Sequence, residues 1–145
     1  MYLVDSNVLS ELRRRASGKA NANVVALATQ VGRHEAYINS VVVMELEQGV
    51  LLMEARDAVQ GRILRKRLVN SVYVDYAEQT IAFDVEAAKT CAWLHARRPR
   101  PERDAMIAAT ALVHDLTVVT RNERDFVGAG VRVLNPWKWG GAGPG

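Results

Sequence analysis

The feature that most constrains the fold of this chain is the alternation of short apolar runs with longer stretches of helical periodicity. Five runs are typical of β-strands, being short and rich in β-branched or aromatic residues: "YLV" (2–4), "AYIN" (36–39), "SVYVDY" (71–76), "TVVT" (117–120) and "VRVL" (131–134). Helical periodicity marks the segments near 8–15, 20–32, 41–69, 84–97 and 102–114, and a break around 57–61 is expected to divide the longest. This alternation predicts an α/β fold, with a parallel sheet and helices on both of its faces.

The 145 residues suffice for one domain with a single hydrophobic core, and nothing in the sequence indicates a second. We expect the domain to span 1–139, followed by a flexible glycine-rich tail at 140–145. No signal peptide or membrane span is visible, because Asp5 interrupts the first apolar run and the longest later one, 105–113, is too short. The single cysteine, Cys91, predicts a reducing compartment, so we expect a cytoplasmic protein without membrane contact.

Four acidic residues occupy functionally suggestive places in this alternation. Asp5 directly follows the first strand, Glu45 lies in the first turns of the helix after the second, and Asp125 follows the fourth. Because the carboxyl ends of parallel strands share one edge of a sheet, these three side chains are expected to meet there. Taken alone, Asp5 would equally suit a helix cap, since Asp is common where a strand passes into a helix.

The fourth acid, Asp104, requires a different argument, because its helix leads into a strand instead of following one. Its neighbours on the same helical face are all apolar: Ile107, Ala108, Ala111 and Leu112. This spacing predicts that Asp104 lies on the face that covers the sheet. Glu45 is similarly surrounded by Val42, Leu46 and Val50. A carboxylate on a buried face needs a partner, and no Lys or Arg shares the stripe of Asp104.

Four converging carboxylates repel one another and raise each other's pKa unless a cation lies among them. Oxygen ligands of this kind suit Mg²⁺ or Mn²⁺. The sequence does not suit a zinc site, because the three histidines (His34, His95 and His114) are not at metal-ligand spacing. Hydrolysis of a phosphodiester by a metal-activated water is the chemistry that fits such a site.

Two motifs around these acids resemble those of the PIN-domain ribonucleases, and more narrowly the VapC-type, FitB-like toxins of type II toxin–antitoxin systems. They are "YLVDSNVLSELRR" near the start and "RDAMIAATALVHDLTVVTRNERDF", followed by "VRVLNPW", near the end. The resemblance implies an α/β/α sandwich around a central parallel five-stranded sheet. It also implies Mg²⁺- or Mn²⁺-dependent cleavage of RNA, with tRNA and rRNA equally compatible, a cognate antitoxin as inhibitor, and a homodimer.

Carried over by position, the resemblance implies that the metal site consists of Asp5, Glu45, Asp104 and Asp125. In this assignment Asp5 and Asp104 are the direct ligands. Glu45 and Asp125 complete the site and orient or deprotonate the attacking water.

Polar and basic residues near the four acids are candidates for supporting roles. Three match polar positions of the family that hold the carboxylates or contact phosphate: Asn7, Thr120 and Asn122. Asn7 and Asn122 are equally compatible with a purely structural role as cap residues where one element passes into the next. Four arginines are candidates for RNA contact, because they follow the Asp5 helix or precede Asp104: Arg13, Arg14, Arg97 and Arg98. Such runs also commonly form a solvated helix face. Trp93 is expected in the core, whereas Trp137 and Trp139 suit either a covered sheet edge or a dimer interface.

The sequence leaves other functions open beside the toxin. A PIN nuclease that processes RNA without an antitoxin fits the same motifs. A phosphoacceptor signalling domain also places Asp at a strand end beside Mg²⁺, but "YLVDSN" lacks the acidic pair that such a domain expects, and Lys138 comes only after Pro136. A non-catalytic binding domain would leave four carboxylates on the buried side without a reason.

Overall fold

The predicted parallel sheet is confirmed in a computed structural model, which describes residues 1–140. Its strands are β1 (Tyr2–Val4), β2 (Ala36–Asn39), β3 (Thr80–Ile81), β4 (Thr117–Val119) and β5 (Val133–Leu134). Every pair of neighbouring strands is parallel, and their order across the sheet is β3-β2-β1-β4-β5. Residues 141–145 of the predicted tail lie outside the described residues.

Helices connect the strands and flank the sheet. They are α1 (Ser6–Leu12), α2 (Ala22–Gln30), α3 (Ser40–Arg56), α4 (Ala58–Arg67), α5 (Tyr73–Asp75), α6 (Val85–Arg97) and α7 (Glu102–His114). A π-helical turn at Leu68–Val72 joins α4 to α5. Three further segments form 3₁₀ turns: Arg33–Glu35, Glu123–Phe126 and Pro136–Lys138. Within residues 1–140 none of these helices combines the length and the apolar character needed to cross a membrane.

The break predicted around 57–61 is confirmed at Asp57, between α3 and α4. The Asp57 carboxylate accepts hydrogen bonds from the backbone N–H groups of Val59 and Gln60, at 3.2 and 3.1 Å. It therefore satisfies two of the donors that the first turn of α4 leaves without a partner. This cap starts a new helix at the break that the sequence predicts.

The core lies on both sides of β1 because successive side chains of a strand point to opposite faces. Tyr2 and Val4 line a cavity together with residues of α1 and α2, so Leu3 points to the opposite face, where it is fully buried. α7 packs against α6 and β4 and buries six residues: Ala105, Ile107, Ala108, Ala109, Thr110 and Ala111. This packing fixes the first turn of α7, which carries Asp104.

The predicted strand at 71–76 is wrong, because this segment is helical and forms the π-helical turn and α5. Its alternation of Val and Tyr fits a strand, but the Tyr73 hydroxyl hydrogen-bonds to Glu47 of α3, and Val72 packs against the core. These tertiary contacts outweigh the local β preference. The third strand is Thr80–Ile81 instead, which is too short to show a period in the sequence.

Trp93 was also placed wrongly by the sequence, since 54% of its surface is exposed. The buried stripe of α6 consists of Ala87, Cys91 and Leu94, and Trp93 lies beside that stripe. The guanidinium carbon of Arg97, one helical turn later, stands 4.6 Å from the centre of the indole ring. One face of the exposed ring thus makes a cation–π contact with a neighbour on its own helix.

Candidate active site

The candidate site lies at the carboxyl ends of β1 and β4, which are neighbours inside the sheet. The chain leaves β1 toward β2 and leaves β4 toward β5 on the other side, so the two connections diverge above these neighbours. Such a point opens a crevice at which α/β sheets bind ligands. Asp5 and Thr120 are the first residues after the two strands, and the Asp5 N–H donates to the Val119 carbonyl at 3.0 Å.

Asp5 is 2% exposed, and both of its carboxylate oxygens accept hydrogen bonds. Oδ1 accepts from the Ser6 backbone N–H at 2.7 Å, which makes Asp5 the N-cap of α1. Oδ2 accepts from the Thr120 hydroxyl at 2.8 Å and from the Asn7 amide at 3.3 Å. Burial raises the pKa of Asp5, and these hydrogen bonds, which favour the charged form, oppose the rise. Capping and metal binding are therefore compatible roles for this side chain.

The three polar residues predicted to support the acids form one hydrogen-bonded network around Asp5. The Asn7 amide donates to the Thr120 hydroxyl oxygen at 3.1 Å as well as to Asp5. Asn122 joins through its backbone N–H, which donates to the same Thr120 oxygen at 3.1 Å. The structure therefore brings Asn7, Thr120 and Asn122 together beside Asp5.

Glu45 projects from α3 toward the same edge and touches two residues that the sequence did not single out. Its Oε1 accepts from the Ser6 hydroxyl at 3.1 Å, and its Oε2 lies 3.9 Å from the Arg103 guanidinium. Burial and then the negative charge of Asp5 raise the pKa of Glu45, and Ser6 and Arg103 lower it in part. Ser6 and Arg103 are sequence neighbours of predicted acids, which is the only local signal that could have found them.

Asp104 carries the largest perturbation of the site. Burial, followed by the charges of Asp5 and Asp125, raises its pKa to about 7, with further contributions from a hydrogen bond to Asp125 and from Glu45. The other three predicted acids therefore all act on the carboxyl group of Asp104. We call Asp5, Glu45, Asp104 and Asp125 the acidic cluster.

A buried pair behind the acidic cluster holds its two helices in place, and sequence reasoning did not identify it. Asn39 caps α3 by accepting from the Val42 N–H at 2.9 Å, and its amide donates to the Thr110 hydroxyl of α7 at 3.1 Å. Both side chains are fully buried. This bond links the helix that carries Glu45 to the helix that carries Asp104.

The chemistry of the donors fits a hard divalent cation. The cluster offers only carboxylate oxygens, which suit Mg²⁺ or Mn²⁺. Across residues 1–140, no three His, Cys, Asp or Glu side chains are already arranged to hold a metal ion. Mg²⁺ tolerates this, because it is commonly held by one or two carboxylates together with water and substrate phosphates. Structural zinc, which needs four protein ligands, does not fit.

Of the two arginines that follow α1, Arg13 lies beside the acidic cluster. It lines a groove of about 300 Å³ together with Ser6 and Glu45. Arg14 is instead half-exposed and pairs with Glu11 of the preceding turn at 3.5 Å. Arg13 is therefore the better placed of the two for contact with a ligand of the cluster.

The arginines that precede Asp104 lie at the end of α6 and are both exposed. Arg97 covers Trp93, as described above. The Arg98 guanidinium donates to the Val127 carbonyl at 3.3 Å, just beyond the 3₁₀ turn that carries Asp125. Arg98 therefore reaches the segment that carries an acid of the cluster, whereas Arg97 is engaged on its own helix.

Known proteins resemble this chain over nearly its whole length. Toxin FitB of Neisseria gonorrhoeae is 34% identical, with 94% of this chain and 99% of that protein covered. VapC ribonuclease Y4jK of Sinorhizobium fredii is 31% identical, with 95% and 99% covered.

Solved structures share the architecture. FitAcB from Neisseria gonorrhoeae superposes with a TM-score of 0.86 at 33% identity, covering 95% of this chain and 99% of that one. A toxin–antitoxin complex from Klebsiella pneumoniae gives a TM-score of 0.66 at 25% identity, covering 94% and 98%. The PIN domain family model matches residues 2–130. The chain belongs to the PIN domain family.

Proposed function

We propose that this protein is a metal-dependent endoribonuclease that acts as the toxin of a toxin–antitoxin pair. The observation that carries the proposal is the acidic cluster, which brings together carboxylates from four separate segments; burial and the three other acids raise the pKa of Asp104 to about 7. A site that only stabilised the fold would be expected to contain its own cations. The relatives named as a toxin and as a VapC ribonuclease support the same activity.

In this proposal Asp5 and Asp104 bind Mg²⁺ or Mn²⁺ directly, and Glu45 and Asp125 complete the site. The bound cation would neutralise the carboxylates, hold the RNA phosphate and lower the pKa of the attacking water. Asn7 and Thr120 serve to keep Asp5 in one orientation, because both donate to its Oδ2.

Glu45 is better suited than Asp5 to accept a proton from the attacking water. Its side chain is 22% exposed, so it is accessible to water, whereas Asp5 is almost completely buried. Its pKa is raised, which makes it a stronger base than an ordinary glutamate once ionised. The Ser6 hydroxyl donates to Oε1, whereas Oε2 lies 3.9 Å from the Arg103 guanidinium, beyond hydrogen-bond distance, and is the oxygen available to take the proton.

The proposed partner is a cognate antitoxin that inhibits the enzyme, and the proposed assembly is a homodimer. The solved toxin–antitoxin complex from Klebsiella pneumoniae supports the first. Expression of this chain alone is expected to arrest growth, and co-expression with its cognate antitoxin, which the proposal expects to be encoded beside it, is expected to restore growth.

The deciding experiment incubates the purified protein with total cellular RNA in Mg²⁺, in Mn²⁺ or with chelator, beside an Asp5→Asn variant. We expect discrete fragments that require metal and are absent with the variant, and mapping their ends would identify the RNA target. A folded protein that binds metal but cleaves no RNA with either ion would contradict the nuclease proposal.

A further inference from the structure

One arginine outside the predicted site residues is held over an aromatic ring beside the acidic cluster. Arg121 follows Thr120 directly, and its guanidinium carbon lies 4.9 Å from the centre of the Trp137 ring. Arg121 also lines an open polar depression together with Asp125. Arg121 and an acid of the cluster thus border the same depression.

The backbone of Arg121 is tied to the network that orients Asp5. Its N–H donates to the Asn7 side-chain oxygen at 3.2 Å, while the amide group of the same Asn7 donates to Asp5 at 3.3 Å. The starting point of the Arg121 side chain is therefore fixed relative to the cluster by two hydrogen bonds.

Trp137 is fixed just as firmly. Its backbone N–H donates to the Asn135 side chain at 3.0 Å, and its carbonyl accepts from the Asn23 amide at 2.8 Å. Pro136 before it is buried. The backbone of Trp137 is therefore fixed, and its partly buried side chain packs against the core, so it offers a preorganised surface for a guanidinium group and limits the side-chain entropy lost on binding.

The charge of Arg121 is not used inside the described part of the chain. Among residues 1–140 the guanidinium has no carboxylate within 4 Å, whereas Lys138 nearby pairs with Glu123 at 2.7 Å. Hydrogen bonds from Lys138 and Asn135 lower the pKa of Glu123, and the Lys138 ammonium balances the charge of its carboxylate. Glu123 therefore does not compete for Arg121. Stacking occupies one face of a guanidinium and leaves its N–H edge available to an anion.

We propose that Arg121, stacked on Trp137, is a phosphate-binding subsite that holds the RNA backbone next to the acidic cluster. The inference rests on the proposed function, because it deepens the description of the same site. A fixed positive charge at the border of the cluster adds an attraction for the RNA backbone to that of the bound cation. An exposed arginine without such a support would contact phosphate at a higher cost in side-chain entropy.

The test measures binding of a fluorescent single-stranded RNA oligonucleotide by anisotropy at several salt concentrations, in Mg²⁺. All proteins carry Asp104→Asn, so that the probe is not cleaved. We expect Arg121→Gln to weaken binding by about 5- to 10-fold and to reduce the slope of log affinity against log salt by about 0.7, the value for one phosphate on a single strand. Trp137→Leu is expected to weaken binding by about 2- to 5-fold, because the arginine remains but loses its support.

The matched control is Arg132→Gln, which removes the same charge near the amino-terminal end of β4, away from the acidic cluster. Arg132 pairs with Asp115 at 3.0 Å and donates to Thr117, the first residue of β4, at 3.2 Å. We expect this variant to bind RNA like its parent. Equal affinity and equal salt slope for Arg121→Gln and Arg132→Gln would overturn the proposal.

Other outcomes separate this proposal from the nuclease function. If RNA binding depends on Arg121 but the protein with an intact cluster cleaves no RNA, the subsite stands and the nuclease proposal fails. If Arg121→Gln lowers only the Tm, or weakens binding of a synthetic poly-glutamate peptide and not of RNA, the subsite is overturned in favour of a structural or protein-binding role. A parent protein that binds no RNA overturns it as well.

Discussion

Glu45 and Glu47 lie two residues apart on α3, yet their surroundings shift their pKa values in opposite directions. Hydrogen bonds from the Tyr73 hydroxyl and the Arg65 guanidinium lower the pKa of Glu47, and Arg65 reaches both of its oxygens at 2.8 Å. Burial and the nearby Asp5 raise the pKa of Glu45. The same residue type on the same helix therefore belongs to two different kinds of charged group.

The difference lies in where the balancing positive charge comes from. Arg65 bridges Glu47 and Glu54, with 3.2 Å to the latter, so that network is complete within the chain. In the acidic cluster only Glu45 has a cationic side chain within 4 Å among residues 1–140, namely Arg103 at 3.9 Å. A network in which every acid has a cationic partner stabilises the fold, whereas one in which most acids lack such a partner favours binding of an external cation.

The most sensitive test of this distinction removes one acid from each group and measures RNA cleavage. We expect Asp104→Asn to reduce kcat/KM by about 100-fold or more, because it removes a proposed direct metal ligand. Glu47→Gln is expected to leave kcat/KM within about twofold. Thermal melting of both variants provides the control for folding, and comparable losses of activity in folded Asp104→Asn and Glu47→Gln would refute the distinction.

Metal binding should stabilise the protein through the acidic cluster alone. An ion that binds only the folded state adds about 2.7 kcal/mol at 100 times its Kd, which corresponds to a Tm rise of about 5–10 °C for a chain of this size. We expect this rise with Mn²⁺ for the parent and for Glu47→Gln, and its loss for Asp104→Asn. An unchanged Tm of the parent in millimolar Mg²⁺ and Mn²⁺ would count against a metal site.

The sequence predicted best what local signals determine. α7 was predicted at 102–114 and is observed at Glu102–His114, because prolines precede it and Asp115 follows it in the left-handed conformation, with φ at 54°. The four acids could be placed from strand ends and helix faces alone, since parallel strands impose one common edge.

What the sequence missed depends on contacts between distant segments. The helical state of 71–76 follows from packing on α3, and the third strand is only two residues long. The Asn39–Thr110 bond joins residues 71 positions apart, and Arg121 meets Trp137 only once β4 and β5 are paired. No periodicity or motif encodes such pairs, so they could not be derived without the fold.

The stability of the metal-free protein should depend on pH through Asp104. Its pKa is 3.8 in an ordinary aspartate and about 7 here, so the folded state binds the proton more tightly than the unfolded state does. This contribution to the free energy of unfolding is complete below about pH 4 and is lost as the pH rises through 7. With chelator present, we expect the Tm to be lower at pH 8 than at pH 5, by on the order of 5 °C.

Asp104→Asn is the control for this pH dependence, because it removes the titrating group while preserving the shape of the side chain. Its metal-free Tm is expected to vary much less over the same interval. Burial also raises the pKa of Asp5 and Glu45, so a residual slope of the same sign is expected. A Tm that rises from pH 5 to pH 8 in the metal-free parent would contradict the assigned direction.

The smallest expected effect is on the other side of the comparison, in the stability of Glu47→Gln. Partly exposed ion pairs contribute about 0–1 kcal/mol, and Arg65 keeps Glu54 as a partner, so we expect a Tm decrease of about 1–3 °C. High salt should reduce the difference between this variant and the parent, because salt screens the pair that the variant lacks. Thermal melting at low and high salt with chelator present measures both effects. A decrease in Tm that disappears when Mn²⁺ is added would place Glu47 with the acidic cluster, and the division of α3 into a structural and a metal-binding side would then be wrong.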